Sequence, residues 1–184
     1  MSPKKNIICL SLLDLLAAGQ VFAQPPKPII NCLLSDGTQA SLLAESSADG
    51  QRLFVNIDKK TQPAFTDMPD ADFVGEVVMA RCAGSSLIFA LDYGSPYLKG
   101  VVLRKNPVSH SIERIDFAEK ALPTFLYLGQ TQMRLVFPNI GNETPKRFLI
   151  YDYVSGKGQG EEASGSDIVP GKSGFEVIDL KPAQ

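Results

Sequence analysis

The sequence predicts an all-β protein, a single-domain antiparallel β-sandwich or small barrel of about 8–10 strands with one short helical turn. Three observations carry this prediction. Apolar residues alternate with polar ones in short runs, as in Arg52 to Asp58 and Gln132 to Phe137, the period of a half-buried strand. Turn-forming clusters such as Ser35-Asp36-Gly37, Asp49-Gly50, Gly94-Ser95-Pro96 and Asn106-Pro107 recur at short intervals. A cysteine pair, Cys32 and Cys82, offers a covalent tie between two of the strands so defined.

Residues 1–23 read as an export signal and are set apart from the fold. Lys4 and Lys5 precede an apolar run from Ile7 to Ala18, and Val21-Phe22-Ala23 supplies small or short residues for cleavage. The run is shorter than the roughly 20 residues a membrane span requires. Cys9 lacks the small residues that precede a lipid-attachment cysteine, so no membrane anchor is expected. The domain then runs over 24–184. Without Lys4, Lys5 and Asp14 it holds 16 basic and 19 acidic residues, a net charge of −3. That balance offers no electrostatic drive toward nucleic acid or toward an anionic membrane.

Taken in order, Gln24-Pro25-Pro26-Lys27-Pro28 is a stiff lead-in, because proline cannot donate to a ladder. Strands are expected at Ile29–Leu34, Thr38–Glu45 and Arg52–Asp58. Lys59 to Asp72 carries Pro63 and Pro69 and reads as a loop. The stretch from Ala80 to Arg104 is the centre of the prediction. Two apolar runs flank Gly94-Ser95-Pro96 as a hairpin, and Cys82 stands at its base. An even cysteine pair in an exported chain is a disulfide, which would pin this hairpin to the first strand through Cys32.

A weaker strand is expected over Ser109–Ile115. Asp116-Phe117-Ala118-Glu119 has the spacing of a capping box, which predicts a helical turn ended by Pro123. Strands follow at Thr124–Leu128, Gln132–Phe137, Arg147–Val154 and Phe175–Leu180. Residues 155–174 are rich in glycine and poor in apolar side chains. Such composition buries too little surface to offset ordering entropy, so a flexible loop is expected there.

Catalytic patterns are sparse. Ser166 to Ser173 approximates a phosphate-binding loop, but serine replaces the required first glycine and no strand–helix context surrounds it. His110 is the single histidine. A Ser-His-Asp site would have to use it, and no nucleophile elbow exists to partner it. One histidine with two paired cysteines also leaves no zinc set. Asp67, Asp70 and Asp72 could offer oxygens to calcium but lack the spacing of a helix-loop-helix site. Asn142-Glu143-Thr144 is a glycosylation sequon. No catalytic residue, metal or cofactor is therefore assigned.

The remaining signal is tyrosine. Tyr93 and Tyr97 bracket the central hairpin turn, and tyrosine suits recognition surfaces because it joins rigid area to a polar tip. The expectation is a periplasmic or secreted, non-enzymatic protein that binds or inhibits a partner protein, such as a cell-wall hydrolase or toxin, through Tyr93 and Tyr97. The alternatives are an envelope hydrolase working through carboxylates and an accessory subunit that offers a strand edge.

Overall fold

The computed structural model describes residues 25–68, 71–140, 144–160 and 162–181. The export signal expected at 1–23, Asp70 and the sequon asparagine Asn142 lie outside the described residues. Among those described, the fold is all-β and consists of two antiparallel sheets. The larger sheet is a meander. It contains β1 (Lys27–Leu33), β2 (Gln39–Ser47), β3 (Gly50–Ile57), β4 (Lys60–Pro63), β5 (Val74–Ala83), β6 (Ser86–Asp92), β7 (Leu98–Lys105) and β8 (Ile112–Glu119). Its order is β1-β2-β3-β5-β6-β7-β8, with β4 paired beside β5 on the same edge of β3. The sheet does not close into a barrel.

The smaller sheet contains β9 (Phe125–Leu128), β10 (Gln132–Pro138), β11 (Phe148–Val154), β12 (Gly158–Gln159), β13 (Ser164–Ser166) and β14 (Glu176–Asp179). Its order is β12-β11-β10-β9-β14, and β13 joins the same edge of β11 as β12.

The β6–β7 hairpin forms the middle of the molecule. Side chains alternate across a strand, and both sets are buried here. Leu87, Phe89 and Leu91 join Val101 and Leu103 in a core with Leu42, Leu53 and Val55. Ile88, Ala90 and Val102 face the opposite way, into a second core with Leu126, Met133, Leu135 and Phe137. Strands buried on both faces read as continuous apolar runs, which is why this hairpin was prominent in the sequence. β1–β3 cover the first of these faces, so the β6–β7 hairpin lies between them and the smaller sheet. The Cys32–Cys82 disulfide ties β1 to β5 at a Cα–Cα distance of 5.5 Å, as the cysteine count predicted.

The helical turn expected at Asp116–Glu119 is not formed; these residues belong to β8, paired along its length with β7. Glu119 does not cap a helix but accepts a hydrogen bond from the Tyr151 hydroxyl at 2.7 Å. The inward positions of β8 are Glu113, Ile115, Phe117 and Glu119, so charged residues at both ends hid the period of two. The expected loop at Lys59–Asp72 contains β4, which forms a hairpin with β3 through Asp58 and Lys59, both at positive φ.

The glycine-rich stretch 155–174 also departs from its expectation. It supplies β12 and β13 to the edge of β11. Val169, together with Phe175 just beyond the stretch, covers Tyr127, Val136 and Ile150 on the outer face of the smaller sheet. The Tyr127 hydroxyl donates to the Pro170 carbonyl at 2.9 Å. Backbone pairing supplies what the side-chain composition lacks, because ladder hydrogen bonds do not depend on residue type.

A buried polar network fills the seam between the two sheets at the open end of β7. Arg104 and Glu113 are both nearly inaccessible, with the Arg104 Nε donating to Glu113 Oε2 at 2.6 Å. The Arg104 Nη2 is equally close to that oxygen without hydrogen-bond alignment. Arg104 Nη1 donates to the Gly129 carbonyl at 2.6 Å. Asn106 Nδ2 serves Glu113 Oε1 at 2.8 Å and the Gln130 carbonyl at 3.0 Å.

Candidate functional site

Three strand ends meet beside Tyr93. β2 hands over to β3 at the Asp49-Gly50 turn, β5 begins at Val74, and β6 ends at Asp92. Only two residue pairs, Gln51 with Gly75 and Arg52 with Val74, join β3 to β5. The strands then diverge, and a concavity of about 490 Å³ opens between them. Its walls are Asp49, Glu76, Asp92 and Tyr93, and Gly50 and Gly75 lie between them. This volume falls in the range of small-ligand and side-chain pockets, about 300–1,000 Å³.

Glycine is required there by the close approach of backbones. A Cβ on Gly75 would lie 1.9 Å from the Asp92 carbonyl oxygen, and one on Gly50 would lie 2.8 Å from the Gly75 carbonyl oxygen. The backbones of β3, β5 and the end of β6 therefore pack directly on one another at these two positions.

Tyr93 is half-buried. Its ring meets Phe73 edge-on, with centroids 5.0 Å apart and planes at 84°. Phe73 in turn meets Phe65 at 5.3 Å. This chain of rings leads into the first core and fixes the tyrosine in place. Asp92 Oδ1 accepts from the Gly94 amide at 3.0 Å, which shapes the hairpin turn. Asp49, Glu76 and Asp92 are all exposed to solvent.

The two tyrosines singled out from the sequence separate. Tyr93 lines the concavity, whereas Tyr97 lies across the Gly94-Ser95-Pro96 turn, with the Lys120 ammonium 5.0 Å from its ring centroid. The three carboxylates were not legible as a group, because they come from three strand ends far apart in sequence. The available signals were the Asp49-Gly50 turn and the position of Asp92 next to Tyr93.

The other candidates have structural surroundings. Lys99, buried in β7, pairs with Asp67, and Arg52 Nε donates to Asp72 at 2.8 Å, so both described aspartates of the acidic loop serve as counter-ions. His110 is exposed in the turn between β7 and β8 at a positive φ. Ser166 ends β13, no helix follows it, and Lys146 reaches Asp167 beside it at 2.6 Å. That context is unlike a phosphate-binding loop. Among the described residues, no three of His, Cys, Asp and Glu are grouped to hold a metal ion. Comparison with protein-family models, with curated proteins and with solved structures finds no significant match.

Proposed function

We propose that the chain is an exported, non-enzymatic binding protein, periplasmic or secreted, that holds a partner protein at the concavity beside Tyr93. A cell-wall hydrolase or a toxin is the class of partner it would inhibit or neutralise. The observation that carries the reading is the concavity itself. Tyr93, whose ring is locked by Phe73, lines it together with the close-packed backbone of Gly50 and Gly75 at the ends of three paired strands. Rigid aromatic area placed beside a pocket is the usual anchor of protein–protein recognition. The disulfide is compatible with an oxidising compartment outside the cytoplasm.

Carboxylate-based hydrolysis is less well served. It requires one acid shielded in an apolar pocket while a second stays solvated, and Asp49, Glu76 and Asp92 are all open to water. The test begins with partner capture from envelope extract, followed by titration of the purified partner against wild-type protein, Tyr93→Ala and Tyr97→Ala. Tyr93→Ala should weaken binding by at least about tenfold, with no turnover of cell-wall or polysaccharide substrates by the wild type. Equal affinity of all three proteins, or turnover that depends on Asp92, overturns the reading.

A further inference from the structure

We infer that the chain carries a small-molecule site at the other end of β6 from Tyr93, and that it takes a neutral, hydroxyl-bearing ligand, a single saccharide unit. This site stands apart from the concavity beside Tyr93 and does not depend on the binding reading above. A cavity of about 290 Å³ opens there between the ends of the two sheets. The turn before β6 reaches it with Ser85, the end of β7 with Arg104 and Lys105, the β9–β10 turn with Gly129 and Gln130, and β14 with Glu176.

Buried donors without partners point to a ligand. Ser86, Arg104 and Glu113 are direct neighbours across β6, β7 and β8. They share the face that Ile88, Val102 and Ile115 turn toward the smaller sheet. Arg104 is only 2% exposed and still lines the cavity. Its Nη1 donates to the carbonyl of Gly129, which belongs to the cavity wall, so the guanidinium lies at the cavity. Among the described residues, nothing accepts a hydrogen bond from Arg104 Nη2, and the fully buried Ser86 hydroxyl opposite it has no partner either. A buried polar group left unpaired is costly. The cavity is also far larger than the share of one water, about 30 Å³.

Charge decides what the cavity admits. Arg104 is paired with Glu113 and Lys105 with Asp36, so neither cation is left to attract an anion. Glu176, the one carboxylate among the described lining residues, repels an anion. A cation is refused in turn by the Arg104 guanidinium, which has hydrogens to donate and no acceptor. A neutral ligand remains, with an oxygen to accept from Arg104 Nη2 and hydroxyls to donate to Glu176. Leu128 and Pro107 add apolar surface for ring carbons. The volume lies at the small end of the range for ligand pockets, about 300–1,000 Å³, which suits one sugar ring rather than an extended chain.

The experiment titrates the isotope-labelled chain with glucose, galactose and N-acetylglucosamine, with gluconate and glucosamine as anionic and cationic controls, and follows amide shifts. At least one neutral sugar should shift the amides of Ser86, Gly129, Gln130 and Glu176 first and bind about fivefold more tightly than either charged control. Ser86→Ala and Glu176→Gln should each weaken that binding about fivefold, whereas Tyr93→Ala should leave it unchanged. Ser86→Ala should also withstand urea at least as well as wild type, because it removes a hydroxyl that has no partner in the protein; its loss of binding is then no folding defect. A saturable response to a neutral sugar that either cavity substitution weakens upholds the inference. No saturable shift with any neutral sugar, equal binding of either charged control, or an affinity that neither cavity substitution lowers overturns it.

Discussion

Glu113 stands at an inward position of β8, between the two sheets, yet both of its carboxylate oxygens are engaged. Arg104 holds one, and Asn106 and Ser155 hold the other. A buried ion pair is costly to break from one side, because the remaining charge stays uncompensated. Glu113→Ala should therefore destabilise the protein by about 3–5 kcal/mol in urea denaturation, and Glu113→Gln by less, since the amide keeps some of the hydrogen bonds. Gly100 makes the opposite kind of demand. The Phe117 ring lies over it, and an added Cβ would come within 2.0 Å of the ring. Gly100→Ala should cost about 1–3 kcal/mol through forced displacement of that ring. Neither requirement was visible in the sequence. A glutamate reads as a surface residue and a glycine as a turn, until the strand opposite is known.

Asp36 carries a pH signature at the same scale. The Lys105 ammonium 2.6 Å away, together with Thr38, holds its carboxyl well below the ordinary value of 3.8. A depressed folded-state pKa means that the contribution is fully present above the unfolded value and is lost as pH falls through the folded one. Between pH 5 and the strongly acidic range, wild type should lose stability more steeply than Asp36→Asn. Parallel denaturation curves of the two proteins over that range would contradict this account.

Among the elements, β8 shows how a side chain can finish a sheet. Its free edge is met by Gln159, whose side-chain Oε1 accepts from the Asp116 amide at 2.8 Å and whose Nε2 donates to the Asp116 carbonyl at 2.7 Å. The carboxamide thus imitates one residue of an added strand and links the edges of the two sheets. Gln159→Glu keeps the acceptor but loses the donor, so it should be nearly as damaging as Gln159→Ala. Each should cost about 1–2 kcal/mol and speed amide exchange at Asp116. Sequence reading located most of the strands because alternation and turn residues are local signals. It missed β4, β8's true extent and the two short strands of the 155–174 segment. There the deciding forces are pairing with a distant strand and the satisfaction of inward charges, and neither leaves a local pattern. The candidate site was half legible for the same reason. Tyr93 announced itself beside a turn, whereas Asp49 and Glu76 reach it only through the divergence of β3 and β5.

At the scale of the whole molecule, the disulfide fastens the outermost strand of the meander to β5 across a separation of 50 residues. In the chain-entropy account, a loop of that size stabilises the fold by about 4 kcal/mol. Cys32→Ser with Cys82→Ser should lower the denaturation midpoint accordingly, measured against the oxidised wild type. The wild-type chain assayed under reducing conditions should behave like that variant.

The β6–β7 hairpin belongs to both hydrophobic cores at once, Leu87 and Phe89 to one and Ile88 and Val102 to its opposite. Melting either core strips one face of the same two strands, and the other core then loses its wall. The two halves are therefore obliged to unfold in a single cooperative step, although each has enough apolar residues to resemble an independent unit. Calorimetric and van't Hoff enthalpies should agree, and the amides of Phe89 and Val102 should exchange only through global opening.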